Sequence, residues 1–230
     1  MEDKESTASA TWSRMLQGNR RFAEGNPEHP WQDRVTRDSL IHGQHPDAAV
    51  IACADSRVPP EIIFDQGLGD LFTVRTAGEV LDDAVIASLE FAIEQLHVSL
   101  LVVLGHEGCG AVKAAIDGVD AMAREFDDCD CFHAADAAAH ADPESHILHL
   151  EAMLAAQDSP IIREVGQSVF EAQQADLETA EDFERAHVAR TIELLVERSE
   201  VIQRALGEGR LMIAGARYLL TTGKVEVLSF

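Results

Sequence analysis

Two apolar runs constrain this chain more than anything else in it: "DAAVIACA" at 47–54 and "SLLVVLGH" at 99–106, which carry Cys53 and His106 at their ends. Unbroken apolar runs of this length, bounded by polar residues, read as strands covered on both faces, as in a parallel sheet. Between them lie a helix start at Pro59 and Pro60, a second strand run "DLFTVRT", and an amphipathic stretch that Asp82 can cap and that continues through Leu96. "GHEGCGAVKAAI" then reads as a glycine turn leading into another helix. This β-α-β-α order predicts an α/β fold: a central, mostly parallel sheet flanked by helices, with ligands gathering beyond the carboxyl ends of the strands.

The rest of the chain is arranged around that unit. "TASATWSRMLQGNRRFAEG" is an amphipathic helix closed by Gly25, with Trp12, Met15, Leu16 and Phe22 on one stripe that has no obvious local partner. "NPEHPWQD" links it to a short helix closed by Gly43. The segment from Gly118 to Ser145, rich in alanine and aspartate, has no assignable pattern. Helices are expected near 146–157 and 160–175, followed by a long one from Thr179 to Leu206. "RLMIAGARYLL" and "KVEVLSF", joined by "TTG", make a closing antiparallel hairpin. The expected organisation is a helical arm over 1–46 and a single α/β domain over 47–230, with a variable helical or irregular segment at about 118–175.

Charge narrows the partners. With 41 acidic against 18 basic residues the formal charge is −23, which excludes nucleic acid and anionic membranes as partners that need Lys and Arg to neutralise phosphate. Lysine occurs only at positions 4, 113 and 224, and such an acidic surface fits either a salt-rich medium, which screens its self-repulsion, or simple solvation. No stretch approaches a membrane span, and the polar, acidic start is unlike a secretory signal, so a cytoplasmic location is expected.

The chemistry concentrates in "CADSR" and "HEGC". In an extended backbone Cys53, Asp55 and Arg57 share one face, and His106 and Cys109 close the other strand. Two thiolates, an imidazole and a carboxylate form a tetrahedral set suited to zinc, and a helix start at Cys109 favours thiolate over thiol. Three readings of this set stand open: a catalytic zinc, a structural zinc closed by all four ligands, and a cysteine nucleophile with His106 as its base. Arg57 beside Asp55 counts against the closed site. "CDCFH", containing Cys129, Cys131 and His133, together with His140, His146 and His149, reads as a solvated insertion rather than a second metal site. Arg75 is expected to be a buried ion-pair member.

"CADSRV" followed by "GHEGCGAVKAA" resembles the β-class carbonic anhydrases, and the likeness extends from "LQGNRRFAEGNP" to "GARYLLTTGKVEVL", weakest around 118–175. The resemblance implies one zinc ion per subunit on Cys53, His106 and Cys109, with Asp55 as fourth ligand in a closed state. It implies hydration of carbon dioxide to bicarbonate and a proton by zinc-bound hydroxide, with Asp55 and Arg57 as the catalytic pair. Gln44 would donate to the product, and Phe72, Ala77 and the backbone of Gly110 would line the substrate pocket between two subunits. It further implies a homodimer or dimer of dimers in which the N-terminal arm packs on the partner. A same-fold hydrolase of carbon disulfide or carbonyl sulfide is the alternative. Some members bind bicarbonate at a second site built on a tryptophan, an arginine and a tyrosine. The last two match Arg75 and Tyr218, but Val50 holds the tryptophan position and offers no N–H donor, so weak binding there is expected.

Overall fold

The run from Ala48 to Cys53 becomes strand β1 (Ala48–Cys53) because every one of its residues is buried and none is charged. The computed structural model describes residues 4–127 and 143–229. Before β1 come α1 (Lys4–Ala23) and α2 (Arg34–Ser39); after it come α3 (Pro60–Ile63), β2 (Leu71–Thr76) and α4 (Asp83–Glu94). Asp82 caps α4 by accepting from the Val85 N–H at 2.8 Å. β3 (Leu100–His106) and α5 (Gly110–Asp127) complete the second crossover. α6 (Pro143–Ala155), a π-helical turn (Ile161–Val165), α7 (Gly166–Gln174), α8 (Ala180–Arg198) and α9 (Glu200–Gly207) lead to β4 (Met212–Tyr218) and β5 (Val225–Ser229).

The five strands lie in the order β2-β1-β3-β4-β5, parallel except for the antiparallel β4/β5 pair. Alternate residues of β1 and β3 feed two cores. Val50, Ala52, Leu100 and Val102 pack beneath α1, and Ala49, Ile51, Leu101 and Val103 pack beneath α4, α8 and α9. A third cluster of α5, α6 and α7 residues closes around Cys53 and Cys109. α8 approaches β3 closely: a Cβ at Gly105 would stand 2.5 Å from Val188 Cγ2, so only glycine admits this helix.

Several expectations change. The α1 stripe has a partner in its own chain: Trp12 and Met15 are buried with Phe64, in edge contact with Trp12 at 5.9 Å between ring centroids. α2 ends at Ser39 with Leu40 as its C-cap, ahead of Gly43. α5 continues through Gly118 to Asp127, because Val112, Ala115, Val119 and Met122 keep one buried stripe at helical spacing. The long helix to Leu206 is two helices. Ser199 is extended at φ −125°, ψ 108°, and its hydroxyl caps α9 through the Ile202 N–H, a use of serine that competes with helix continuation. Arg75 is exposed and donates to the carbonyls of Cys53 (3.0 Å) and Asp55 (2.6 Å) instead of joining an ion pair. Val50 is buried in the α1 core, as is Tyr218. Cys129, Cys131, His133 and His140 lie outside the described residues. No helix among those described is long and apolar enough to cross a membrane.

Candidate metal centre

Parallel pairing of β1 with β3 brings their carboxyl ends side by side, Ala52 opposite Leu104, so that Cys53 and His106 emerge together. Cys109 returns to the same point through the Glu107–Gly108 turn and precedes the first residue of α5. The three ligand atoms lie within 4.8 Å of one another, and all three residues are buried. His106 Nδ1 sits 2.9 Å from the Glu107 carbonyl oxygen, which only accepts, so Nδ1 carries the proton. Nε2 is therefore the lone-pair nitrogen, and it is buried without a hydrogen-bond partner. A buried nitrogen acceptor left open beside two sulfurs is the donor set that zinc takes.

Electrostatics agree with a cation at that point. The Cys109 thiol, sharing its proton with Cys53, brings Cys53 down to about 4, and the same sharing pushes Cys109 up. Burial works against charging the His106 ring, but the Cys53 sulfur, the Glu107 carbonyl and the Asp55 charge together outweigh it and raise the ring's pKa. The pair thus holds a negative charge in a buried place, where a metal neutralises it.

Asp55 and Arg57 sit beside this set. Arg57 donates from Nε to Oδ1 at 2.9 Å and from Nη2 to Oδ2 at 2.7 Å, and its backbone N–H reaches Oδ1 at 2.9 Å. These bonds hold the Asp55 carboxyl well below the usual carboxylate range. Both carboxylate oxygens are occupied by arginine rather than directed as ligands. Ala77 follows β2 directly, next to Gly78, whose N–H points at Cys53 Sγ at 3.4 Å. Gly110 opens α5, and nothing stands within 4 Å of where its Cβ would be. Gln44 and Phe72 are elsewhere. Phe72 is level with Ala49, four residues and roughly 13 Å along the strand from Cys53. Gln44 precedes β1 at that same far end.

The sequence reading missed the residues behind the ligands. Glu184 Oε1 accepts from the N–H groups of Gly108 (2.7 Å) and Cys109 (3.3 Å), while Arg217 Nε holds Oε2 at 2.8 Å. His187 bridges the Ser168 hydroxyl and the Gly78 carbonyl. Glu79 lies buried at φ 49°, its carboxyl raised well above the usual range by burial and by the neighbouring Cys53 charge. The only sequence signal for the first two was a polar pair three residues apart on a helix face that otherwise buries Phe183, Val188 and Leu195.

The family model for carbonic anhydrase matches residues 48–225. Carbonic anhydrase 2 of Mycobacterium tuberculosis is 38% identical over 215 residues, covering 94% of this chain and 90% of that protein. A carbonic anhydrase of Mycolicibacterium smegmatis is 39% identical over 220 residues, with 96% and 93% covered. Among solved structures, the β-carbonic anhydrase CafA of Aspergillus fumigatus is similar, with a TM-score of 0.57, 26% identity, and 94% and 90% of the two chains covered. With its Cys53–His106–Cys109 zinc set at the carboxyl ends of β1 and β3, the chain belongs to the β-class carbonic anhydrases, enzymes that hydrate carbon dioxide.

Proposed function

We propose that catalysis runs at an open zinc site in which Asp55 orients the nucleophile, Arg57 positions Asp55, and a second copy of the chain completes the substrate pocket. Cys53, His106 and Cys109 would hold the zinc, which when bound would supply a water acidic enough to serve as hydroxide near neutral pH. Arg57 keeps Asp55 ionised and turned away from the fourth position. The ionised carboxylate is an acceptor only, so it takes a hydrogen bond from the attacking oxygen and aims the lone pair at carbon. Ala77 and Gly110 leave room for a small linear substrate beside it. In Arg57→Ala the carboxylate is released toward the metal. The expected result is a fall in hydration rate of more than about ten-fold at neutral pH, with zinc content unchanged.

The observation that carries the two-subunit reading is the separation of Gln44 and Phe72 from their own metal set along the sheet. A two-fold partner whose strands run the opposite way along the β2 edge would bring those residues to the zinc end. That edge is unpaired among the described residues, and exposed apolar side chains stand by it: Leu68, just ahead of β2, with Trp31 and Ile41 against it, and Phe91, whose ring centroid lies 6.3 Å from that of Phe72. Ile41, Leu68 and Gln44 line one groove of about 510 Å³. The reading therefore favours a homodimer, whether or not α1 also reaches across.

Complementation tests it. Gln44→Ala and Cys109→Ala chains, co-expressed with different tags and purified as the mixed dimer, contain one site with intact zinc ligands and a partner's Gln44. The mixed dimer is expected to show about half of wild-type hydration, since one of two equivalent sites is whole. Each parent homodimer is expected to be impaired. A mixed dimer no better than the parents would mean that Gln44 does not serve the partner's site.

A further inference from the structure

The Cys53 sulfur is linked to a buried histidine by a chain of directed hydrogen bonds. Gly78 donates its N–H to Cys53 Sγ at 3.4 Å. The carbonyl of the same residue lies 2.7 Å from His187 Nε2. A carbonyl oxygen only accepts, so Nε2 carries the proton, and Nδ1 is left to accept from the Ser168 hydroxyl at 2.8 Å. Ser168 and His187 are both buried, so no bulk water competes for either end. Gly78 has little other freedom: it lies at φ 66°, and a Cβ there would stand 2.7 Å from Ala111 Cβ and 3.1 Å from Val165 Cγ2. The two peptides that meet at its Cα are each held, the Gly78 carbonyl by the His187 N–H and the Gly78 N–H by Cys53 Sγ.

We propose that His187, with its tautomer set by the Gly78 carbonyl and its ring steadied by Ser168, is a positioning residue for the metal thiolate: it holds the Gly78 residue so that the N–H points at Cys53 Sγ and draws electron density from the sulfur. A hydrogen bond to a thiolate lowers the energy of its lone pairs and weakens its donation to a metal, while fixing the direction from which the sulfur approaches. The inference rests on the Cys53–His106–Cys109 site and adds residues that touch neither metal nor substrate.

The test uses cobalt(II) in place of zinc, reading the sulfur-to-cobalt charge-transfer absorption together with metal affinity by chelator competition. In His187→Leu, which keeps side-chain bulk but offers no donor, the band is expected to move to longer wavelength as the sulfur lone pairs rise in energy, and metal affinity to fall about 10- to 100-fold because the loss of the fixed sulfur direction outweighs the stronger donation. His187→Gln can return an N–H near the Nε2 position and is expected to restore both. A purely structural role would lower the melting temperature and leave the band where it was. An unmoved band in His187→Leu overturns the proposal; should that variant not fold, an unmoved band in His187→Phe does so. Wild-type protein that takes up no cobalt would instead overturn the metal site itself.

Discussion

Cys109→Ala is expected to contain no stoichiometric zinc and to show no hydration above the uncatalysed rate. The substitution leaves one sulfur and one imidazole, and a methyl group cannot coordinate. No replacement ligand is ready: both oxygens of Asp55 are engaged by Arg57, and burial raises the Glu79 carboxyl well above its usual range, which disfavours the ionised form a ligand needs. The fold should survive, since Cys109 contributes one small side chain to a cluster of α5, α6 and α7 residues, and removing a sulfur there costs about 1–2 kcal/mol. Metal analysis, stopped-flow hydration and a thermal melt on one preparation separate these statements. Full zinc occupancy with full activity would refute the assignment of Cys109.

The second large effect belongs to stability. Glu184→Leu strands the Arg217 guanidinium, whose side chain is 5% exposed, and removes the acceptor from the Gly108 and Cys109 N–H groups. Breaking a buried pair from one side costs about 3–5 kcal/mol. Glu181 and Glu226, at 3.4 and 3.6 Å from Arg217, recover part of that, so the lower end, about 3 kcal/mol, is expected. For a chain of this size that is a drop in melting temperature of about 6–12 °C. Adding Arg217→Met should return much of the stability, because a buried pair replaced by apolar groups is often neutral. It should not return metal affinity, since the turn before α5 still lacks its acceptor. A double variant that recovered both would show that Glu184 acts on Cys109 only through global stability.

These two predictions mark the boundary of what the sequence disclosed. Cys53 and His106 were legible because each lies at the end of an apolar strand run, where parallel pairing of neighbouring strands brings side chains together, and Cys109 because it follows His106 by three residues through a glycine turn. Asp55 and Arg57 were legible because a two-residue spacing on extended chain is local geometry. Glu184 and His187 were not, because they enter from a helix more than seventy residues later, and their contact depends on how closely α8 crosses Gly105. The break at Ser199 was hidden for a related reason: serine within an amphipathic pattern is compatible with helix, and only its side-chain bond to Ile202 decides otherwise. Gln44 and Phe72 were named by resemblance, but their distance from the metal along the sheet follows from register, which a single sequence does not display.

The tautomer lock at His106 bears on the order of events as the protein matures. The Glu107 carbonyl fixes the ring, Gly78 holds one sulfur, and Glu184 steadies the turn before the other. Each of these constraints is anchored in strands and helices with their own apolar cores. The cation therefore does not have to organise its surroundings, as it does in small zinc-dependent modules that gain their fold only on loading. Chain collapse is therefore expected to precede loading, which becomes a late, local event at a site flanked by Asp55 and the half-exposed Arg57 side chain. Chelation should then yield a folded, reloadable enzyme rather than an unfolded chain, which makes supply of the metal, and not renewed folding, the step that sets recovery of activity.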